Sequence, residues 1–259
     1  MNILLIGDIV GEPGRNMLKR KLAEVVAEYS VDFVIANGEN AAGGSGLTPE
    51  VAREILEAGV DVITSGNHIW SKKEVMSFLD SEPKVLRPLN YPPGAPGRGL
   101  GVFQSKNGYL VGVANAEGRV FSPVNLDCPF RALDEAVDEL RRSTQVIIVD
   151  FHAEATSEKV AMGWYLDGRV TAVLGTHTHV QTADEMVLPG GTAYITDAGM
   201  TGSWEGVIGV RKDIILKRFL TQLPVRHEVA RGRCRFNGVI VTESSGRARD
   251  IKRIHILEE

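Results

Sequence analysis

Two histidines one residue apart, His177 and His179, follow the apolar run 170–174. If that run is a buried strand, side chains at positions i and i+2 point the same way, so both imidazoles leave the strand end on one side. Imidazole is a common neutral metal ligand near pH 7, and open α/β sheets build their sites at the carboxyl ends of strands. The spacing therefore suits metal chelation, although a turn in which one histidine or neither binds a ligand would look the same.

Polar side chains also follow four other apolar runs, where strands are predicted to end: Asp8, Glu39 with Asn40, Asn67 with His68, and His152. Turns favour Asn, Asp and Gly, so each position alone indicates only a turn. Together the carboxylates, amides and imidazoles form a mixed oxygen and nitrogen set that suits two first-row transition metal ions. Such ions share a bridging ligand, and Glu39 is the candidate for that role.

Alternating strand and helix patterns must position these residues. The apolar runs that predict strands lie at 2–6, 31–36 and 60–64, and a helical stripe follows each of them. Thr48 and Pro49 predict the start of the second helix, and Ser71 with Glu74 predicts a capping box at the third. Three strand and helix units in succession predict a parallel sheet covered by helices.

The second half of the chain adds further strands to the same plan. Residues 88–101 are rich in Pro and Gly and predict a long surface loop or lid. The Asn-Gly pair at 107–108 predicts a hairpin, and helical spacing appears at 130–142 and 156–166. Later apolar runs predict mostly antiparallel strands. We expect residues 1–259 to form a single domain.

Composition limits the classes of partner. The chain has 259 residues, 43% of them hydrophobic, which is enough to bury a sizeable core. Its 29 basic and 33 acidic residues give a formal charge of -4, so only a local basic groove could bind nucleic acid. The N-terminal residues lack the basic region of a signal peptide, and no apolar run approaches the roughly 20 residues of a membrane span. We therefore expect a cytoplasmic protein without a membrane segment.

A competing pattern of glycines follows the first strand. Gly7, Gly11 and Gly14, with an acid after the second strand, suggest a dinucleotide-binding unit. The spacing departs from G-x-G-x-x-G because position 9 is Ile, and the negative charge of Asp8 would face a pyrophosphate. This alternative also leaves the histidines at the strand ends unused, so we prefer the metal site.

The polar motifs, taken in order, resemble those of the calcineurin-like metallophosphoesterases. The matching blocks are Gly-Asp-Ile-Val around Asp8, Asn-Gly-Glu-Asn at 37–40, Gly-Asn-His at 66–68, His152, and Gly-Thr-His-Thr-His at 175–179. They are most similar to the bacterial YmdB-like branch of that superfamily, and the resemblance covers nearly the whole chain. It implies an α/β fold, a four-layer α/β/β/α sandwich with mixed sheets. It also implies hydrolysis of phosphodiesters, notably 2',3'-cyclic nucleotides.

The resemblance further implies a role for each motif residue. One metal ion would be held by Asp8, Glu39, Asn40 and His179. The other would be held by Glu39, Asn67, His152 and His177. These cofactors would be two divalent or mixed-valence transition metal ions, Fe by preference and Mn or Zn as alternatives, with a bridging hydroxide for in-line attack on phosphorus. His68, which has no metal assigned, would protonate the leaving oxygen as general acid.

Three positions depart from the wider superfamily. Val10 stands where the first block usually has a histidine, Glu39 replaces an aspartate, and Ile69 stands where many relatives have an acid. These changes leave His179 as the one imidazole assigned to the first ion. A phosphomonoesterase stays open as an alternative, as does a regulatory RNA- or protein-binding module with a vestigial metal site. The expected partners are a small phosphodiester substrate, with RNA as a second candidate, and further copies of the chain in a homo-oligomer.

Overall fold

The computed structural model describes residues 1–258, which fold into strands and helices that alternate through much of the chain. The strands are β1 (Asn2–Ile6), β2 (Asp8–Ile9), β3 (Phe33–Asn37), β4 (Val62–Thr64), β5 (Leu100–Gln104), β6 (Leu110–Glu117), β7 (Ile147–His152), β8 (Ala172–Thr176), β9 (Met186–Val187), β10 (Ala193–Ile195), β11 (Met200–Ser203), β12 (Cys234–Ser244) and β13 (Arg247–Leu257). The α-helices are α1 (Gly11–Glu28), α2 (Pro49–Glu57), α3 (Val75–Ser81), α4 (Pro129–Leu140), α5 (Thr156–Leu166) and α6 (Lys212–Thr221), and a short 3-10 helix covers Ile69–Ser71.

The strands of residues 1–258 form two mixed sheets, of seven and six strands. In the first sheet the order is β2-β11-β12-β1-β3-β4, with β13 paired to β12; β1, β3 and β4 are parallel, and β12 is antiparallel to β1. In the second sheet the order is β5-β6-β7-β8-β10-β9, with the four central strands parallel and β5 and β9 antiparallel. Parallel strands end at one edge of their sheet, so each sheet gathers several strand ends together.

Three apolar layers hold the sheets and helices together. Successive residues of a strand point to opposite faces, and in β1 Leu4 packs towards α1 while Leu5 packs towards the other sheet. The layer between the sheets includes Leu5, Ile35, Val113 and Leu174. The layer beneath α4 and α5 includes Leu133, Val149 and Met162. Each fully buried side chain of this kind contributes roughly 1.5–3 kcal/mol. The result is the predicted four-layer α/β/β/α sandwich.

Three local predictions were correct and one was wrong. The hydroxyl of Thr48 accepts a hydrogen bond from the amide of Val51 at 3.3 Å and caps α2, and the predicted hairpin is β5 with β6. The capping box is wrong, because α3 begins after Glu74 without a side-chain cap from any described residue. Residues 88–99 form the predicted long surface loop, and its conformation is fixed by buried Asn90 and by the Arg87 guanidinium, which donates to the carbonyl of Pro96 at 3.0 Å.

None of the helices in residues 1–258 combines the length and the apolar character that crossing a membrane requires.

Candidate active site

The strand ends bring all eight predicted site residues into one connected cluster. The first sheet supplies Asp8 in β2, Glu39 and Asn40 after β3, and Asn67 and His68 after β4. The second sheet supplies His152 at the end of β7, and His177 and His179 after β8. The two sheets therefore meet at this edge, with the cluster between them.

Small residues allow the strand ends to approach one another. A Cβ added to Gly66 would lie 2.1 Å from Cδ2 of His152 and 2.5 Å from Oε2 of Glu39. A Cβ added to Gly175 would lie 1.8 Å from the carbonyl oxygen of Thr196. The glycines of the Gly-Asn-His and Gly-x-His-x-His motifs are thus required by close packing.

Glu39 lies at the centre of the cluster and touches both halves of it. Its Oε2 is 3.3 Å from Nε2 of His152 and accepts the backbone N–H of His68 at 3.0 Å. Its Oε1 accepts from the amide nitrogen of Asn40 at 2.9 Å. Burial alone would raise the pKa of Glu39, but the charge and hydrogen bonds of His152 and His68 hold it well below its usual range.

Asp8 is fully buried and only half satisfied. Its Oδ2 accepts the backbone N–H of His177 at 3.1 Å. Its Oδ1 has no hydrogen-bond partner among residues 1–258, although Nε2 of His179 lies 3.8 Å away. Burial raises the pKa of Asp8 to about 6, against the opposing effect of His179. A buried carboxylate oxygen without a partner is costly unless a cation completes its surroundings.

His152 presents one ring nitrogen to the cluster and the other to the protein interior. The Thr176 hydroxyl donates to Oδ1 of buried Asp150 at 2.7 Å, so at Oγ1 it accepts from Nδ1 of His152, 2.9 Å away. This leaves Nε2, which lies 3.1 Å from Oδ1 of Asn67 and 3.0 Å from Nδ1 of His177. Burial lowers the pKa of His152, but the charges of Glu39, Asp8 and Asp150 raise it to about 10.

The two histidines after β8 are held in unusual backbone conformations. His177 has φ +105° and His179 has φ +65°, both in the region that favours glycine. Nδ1 of His179 donates to the carbonyl of Ile208 at 2.8 Å, so its Nε2 faces Asp8 and Asn40. Burial and the charge of His152 lower the pKa of His177 to about 3, which keeps this imidazole neutral.

A buried ion pair secures the turn that contains these histidines. Nζ of Lys159 lies 2.7 Å from Oδ2 of Asp197, and both side chains are almost completely buried. The Asp197 carboxylate also accepts the backbone N–H groups of Thr178, at 3.0 Å, and Gly199, at 2.8 Å. The strained conformations of the turn are therefore determined by its surroundings.

His68 differs from the other histidines of the cluster because 41% of its side chain is exposed. Its Nδ1 lies 2.8 Å from Oδ1 of Asn40 and 3.2 Å from Oε1 of Glu39. The hydrogen bond to Glu39 raises the pKa of His68 above its ordinary value. The amide nitrogen of Asn40 faces His179 at 3.1 Å. An amide binds cations through its oxygen, so Asn40 would bind a metal ion only after its side-chain amide turns over.

The residues present fit transition metal ions. Ligand atoms of Glu39, His152 and His177 all lie within 4.8 Å of one another. Nearby, Asp8 offers a buried oxygen that has no partner within the described residues, and His179 offers Nε2. Carboxylate and imidazole ligands suit Fe, Mn and Zn. This part of the molecule is therefore a candidate metal centre.

Sequence reasoning missed the residues that support this cluster. Asp150 lies two positions before His152 in β7, so strand alternation would have placed both on one face. Glu154 places Oε2 2.9 Å from Nε2 of His177. The sequence did not indicate that Lys159 pairs with Asp197, because this pairing depends on how α5 packs against the turn after β10.

Two cavities open beside the cluster. One has a volume of about 490 Å³ and is lined by Glu39, Asn40, His68 and His179 together with Phe219 of α6. The other has a volume of about 370 Å³ and is lined by Asn67, His152 and His177 together with residues 117, 118 and 120–123. Both volumes fall in the range of about 300–1,000 Å³ typical of small-molecule sites.

The four-layer sandwich, with carboxylates and imidazoles at the meeting strand ends, is that of the metallophosphoesterases. Within this class the chain belongs to the YmdB-like protein family, whose model matches residues 4–254. This membership confirms the predicted family.

Similar proteins cover the whole chain. It is 49% identical to the 2',3'-cyclic-nucleotide 2'-phosphodiesterase of Bacillus subtilis (strain 168). The alignment of 261 residues covers 100% of this chain and 98% of that protein. A crystal structure of a hypothetical protein from Thermus thermophilus superposes with a TM-score of 0.94 at 45% identity, over 100% of both chains. A novel phosphatase from Mycoplasma pneumoniae superposes with a TM-score of 0.93 at 34% identity, over 100% of this chain and 94% of that one.

Proposed function

We propose that the chain hydrolyses phosphodiesters, such as 2',3'-cyclic nucleotides, at a centre of two transition metal ions with His68 as general acid. The position of Glu39 is the observation that carries the proposal. One of its carboxylate oxygens approaches His152 and the other is bonded to Asn40, which in turn reaches His179. A carboxylate that joins two sets of ligands in this way suits a bridge between two cations.

Two sets of residues would hold the ions. Asp8, Glu39, Asn40 and His179 would form the first set. Glu39, Asn67, His152 and His177 would form the second. When bound, two such ions lower the pKa of a water molecule and supply positive charge to the phosphoryl oxygens. Iron is the preferred metal. Carboxylate and imidazole ligands also bind Mn or Zn, which are the alternatives.

The residues of the chain orient the reaction. Nδ1 of His68 lies 3.2 Å from Oε1 of Glu39, and the half-exposed ring lies at the wall of the 490 Å³ cavity. A protonated ring fixed at Nδ1 can deliver a proton from Nε2. In the reaction a water molecule loses one proton to solvent as its oxygen forms a bond to phosphorus, the bond from phosphorus to the 2' or 3' ribose oxygen breaks, and His68 gives its proton to that oxygen.

The test combines metal content with substrate preference. Protein purified without chelator should contain about two transition metal ions per chain by elemental analysis. It should hydrolyse a 2',3'-cyclic nucleotide faster than a generic phosphomonoester. Faster hydrolysis of the monoester would favour the phosphomonoesterase instead. Tight RNA binding without hydrolysis in added iron or manganese would favour the regulatory module. The cytoplasmic location, the homo-oligomer and RNA as a partner remain predictions from the sequence.

A further inference from the structure

We propose that the 370 Å³ cavity beside Asn67 and His152 binds the nucleobase of the substrate, with Phe121 stacking on the base and Glu117 accepting a hydrogen bond from a base N–H. The inference rests on the proposed function, because the phosphate of the same nucleotide must lie at the metal centre. The cavity opens directly on that centre, since Asn67, His152 and His177 form one of its walls.

Glu117 provides a polar group at the buried side of the cavity. Only 3% of the residue is exposed, and Oε2 has no hydrogen-bond partner of normal geometry in the part of the chain that the structure describes; the Tyr91 hydroxyl is its polar neighbour and is unsatisfied as well. Its Oε1 receives one long hydrogen bond, from the Ser122 hydroxyl at 3.5 Å. The backbone of Glu117 is fixed by Asn90, whose side chain accepts from the Glu117 amide at 2.9 Å and donates to its carbonyl at 2.8 Å. In its ionised form, a carboxyl group fixed in this way is suited to an N–H donor from a ligand.

Phe121 provides an aromatic surface at the rim of the cavity. Its side chain is 82% exposed, and its backbone has φ +65°, which is unfavourable for a bulky residue. The conformation is maintained because the carboxylate of Glu158 accepts the amides of Arg119 and Val120, at 3.0 and 3.1 Å. Val120 and Val124 are exposed on the same loop, and such a group of exposed apolar side chains on a strained loop is a feature of binding sites.

The remaining walls suit a flat heterocycle. Val120 and Pro123 are apolar, and Gly118 gives the loop close contact with the sheet, since a Cβ there would lie 2.5 Å from Cβ of Ala153. The combination of apolar walls, one exposed aromatic ring and one buried acceptor matches a nucleobase, which has two apolar faces and a polar edge.

Phe121 gives the first test, because an exposed side chain can be removed without loss of folding. Base stacking is worth about 1–3 kcal/mol, so Phe121→Ala should lower kcat/KM for a 2',3'-cyclic nucleotide about 5- to 100-fold. It should leave a base-free substrate, the 2',3'-cyclic phosphate of methyl riboside, within about twofold of wild type. Phe121→Trp should restore the rate. Tyr109→Ala is the control. It removes an aromatic ring that is 63% exposed and lies just before β6, and it should leave kcat/KM unchanged for both substrates.

Glu117 gives the second test. Wild type should prefer uridine 2',3'-cyclic phosphate over its N3-methyl derivative, which lacks the N–H, by about tenfold. Glu117→Ala should abolish that preference. An equal effect of methylation in both proteins would overturn the role of Glu117. An equal loss with both substrates in Phe121→Ala, or no loss with either, would overturn the nucleobase site.

The two proposals can fail separately. If wild type hydrolyses the base-free diester as fast as the nucleotide, the proposal of a nucleobase site is wrong, and the proposed phosphodiesterase activity is unaffected. If wild type hydrolyses neither, the phosphodiesterase is wrong, and calorimetric binding of uridine 2'-monophosphate then tests the cavity. Phe121→Ala should weaken that binding at least fivefold, and an unchanged affinity would overturn the inference.

Discussion

Oγ1 of Thr176 lies 2.9 Å from Nδ1 of His152 and connects that imidazole to the buried carboxylate of Asp150. The arrangement fixes the ring so that Nε2 faces the candidate metal centre. Groups of this kind, one step removed from a metal ligand, typically contribute 10- to 100-fold to metal affinity or activity.

Thr176→Val should therefore lower metal affinity or the diester hydrolysis rate by about 10- to 100-fold, because the ring of His152 loses its fixed tautomer and orientation. Metal titration and steady-state rates measure the effect. Thr176→Ser retains the hydroxyl and should remain near wild type. If the serine variant loses as much as the valine variant, the hydroxyl is not the group responsible.

His179→Ala should empty one metal position in preference to the other. His179 is the only imidazole assigned to the first ion, so its loss should reduce metal content from about two ions per chain to about one. His177→Ala is the matched variant and should empty the second position. Elemental analysis of both proteins checks the division, and loss of both ions to the same extent in each would contradict it.

His68→Ala should separate proton transfer from metal binding. General acid catalysis contributes about 10²- to 10⁴-fold, so hydrolysis of cyclic nucleotides should fall by that factor. The metal content should not change, because His68 is not assigned to either ion. A diester with a good leaving group needs little protonation and should lose far less activity. Unchanged hydrolysis of the cyclic nucleotide would rule out the acid role.

Lys159→Met should destabilise the protein by about 3–5 kcal/mol, because it leaves the Asp197 carboxylate buried without a counter-charge. Urea unfolding measures the free energy of unfolding. Lys19→Met is the control, since that ion pair with Glu54 is partly exposed and should be worth about 0–1 kcal/mol. If the free energy of unfolding fell by similar amounts in the two variants, the buried ion pair would contribute no more to stability than the partly exposed one.

Glu117 should make the stability of the protein depend on pH. Burial raises its pKa from an ordinary 4.5 to about 7, so between these values the folded chain binds more protons than the unfolded chain. This carboxyl group therefore favours folding at low pH, and the contribution is lost as the pH rises through 7. Relative to Glu117→Gln, the free energy of unfolding of wild type should fall by up to about 3 kcal/mol between pH 4.5 and 8. Parallel pH profiles for the two proteins would contradict this.

The sequence by itself determined at which residues the strands end and to which motif each of those residues belongs. The apolar runs of β1 and β3, and the glycines at positions 66 and 175, are local patterns, and local patterns specify where a strand stops and which residues form the turn after it. The family resemblance then assigned roles to the same positions, and the fold that it implied is confirmed.

Only the tertiary structure decided which strand ends meet. Asn37 and Asp150 are 113 residues apart and belong to different sheets, yet their side chains bond at 3.1 Å. The pairing of Lys159 with Asp197, and the placement of Phe121 and Glu117 around one cavity, arise in the same way from the packing of whole elements. The capping box was wrong because Ser71 lies in the short 3-10 helix and its hydroxyl accepts a hydrogen bond from the Ser45 hydroxyl at 3.1 Å. Contacts between distant segments depend on how the two sheets and their loops pack. The spacing of residues along the sequence does not encode which of these segments come into contact.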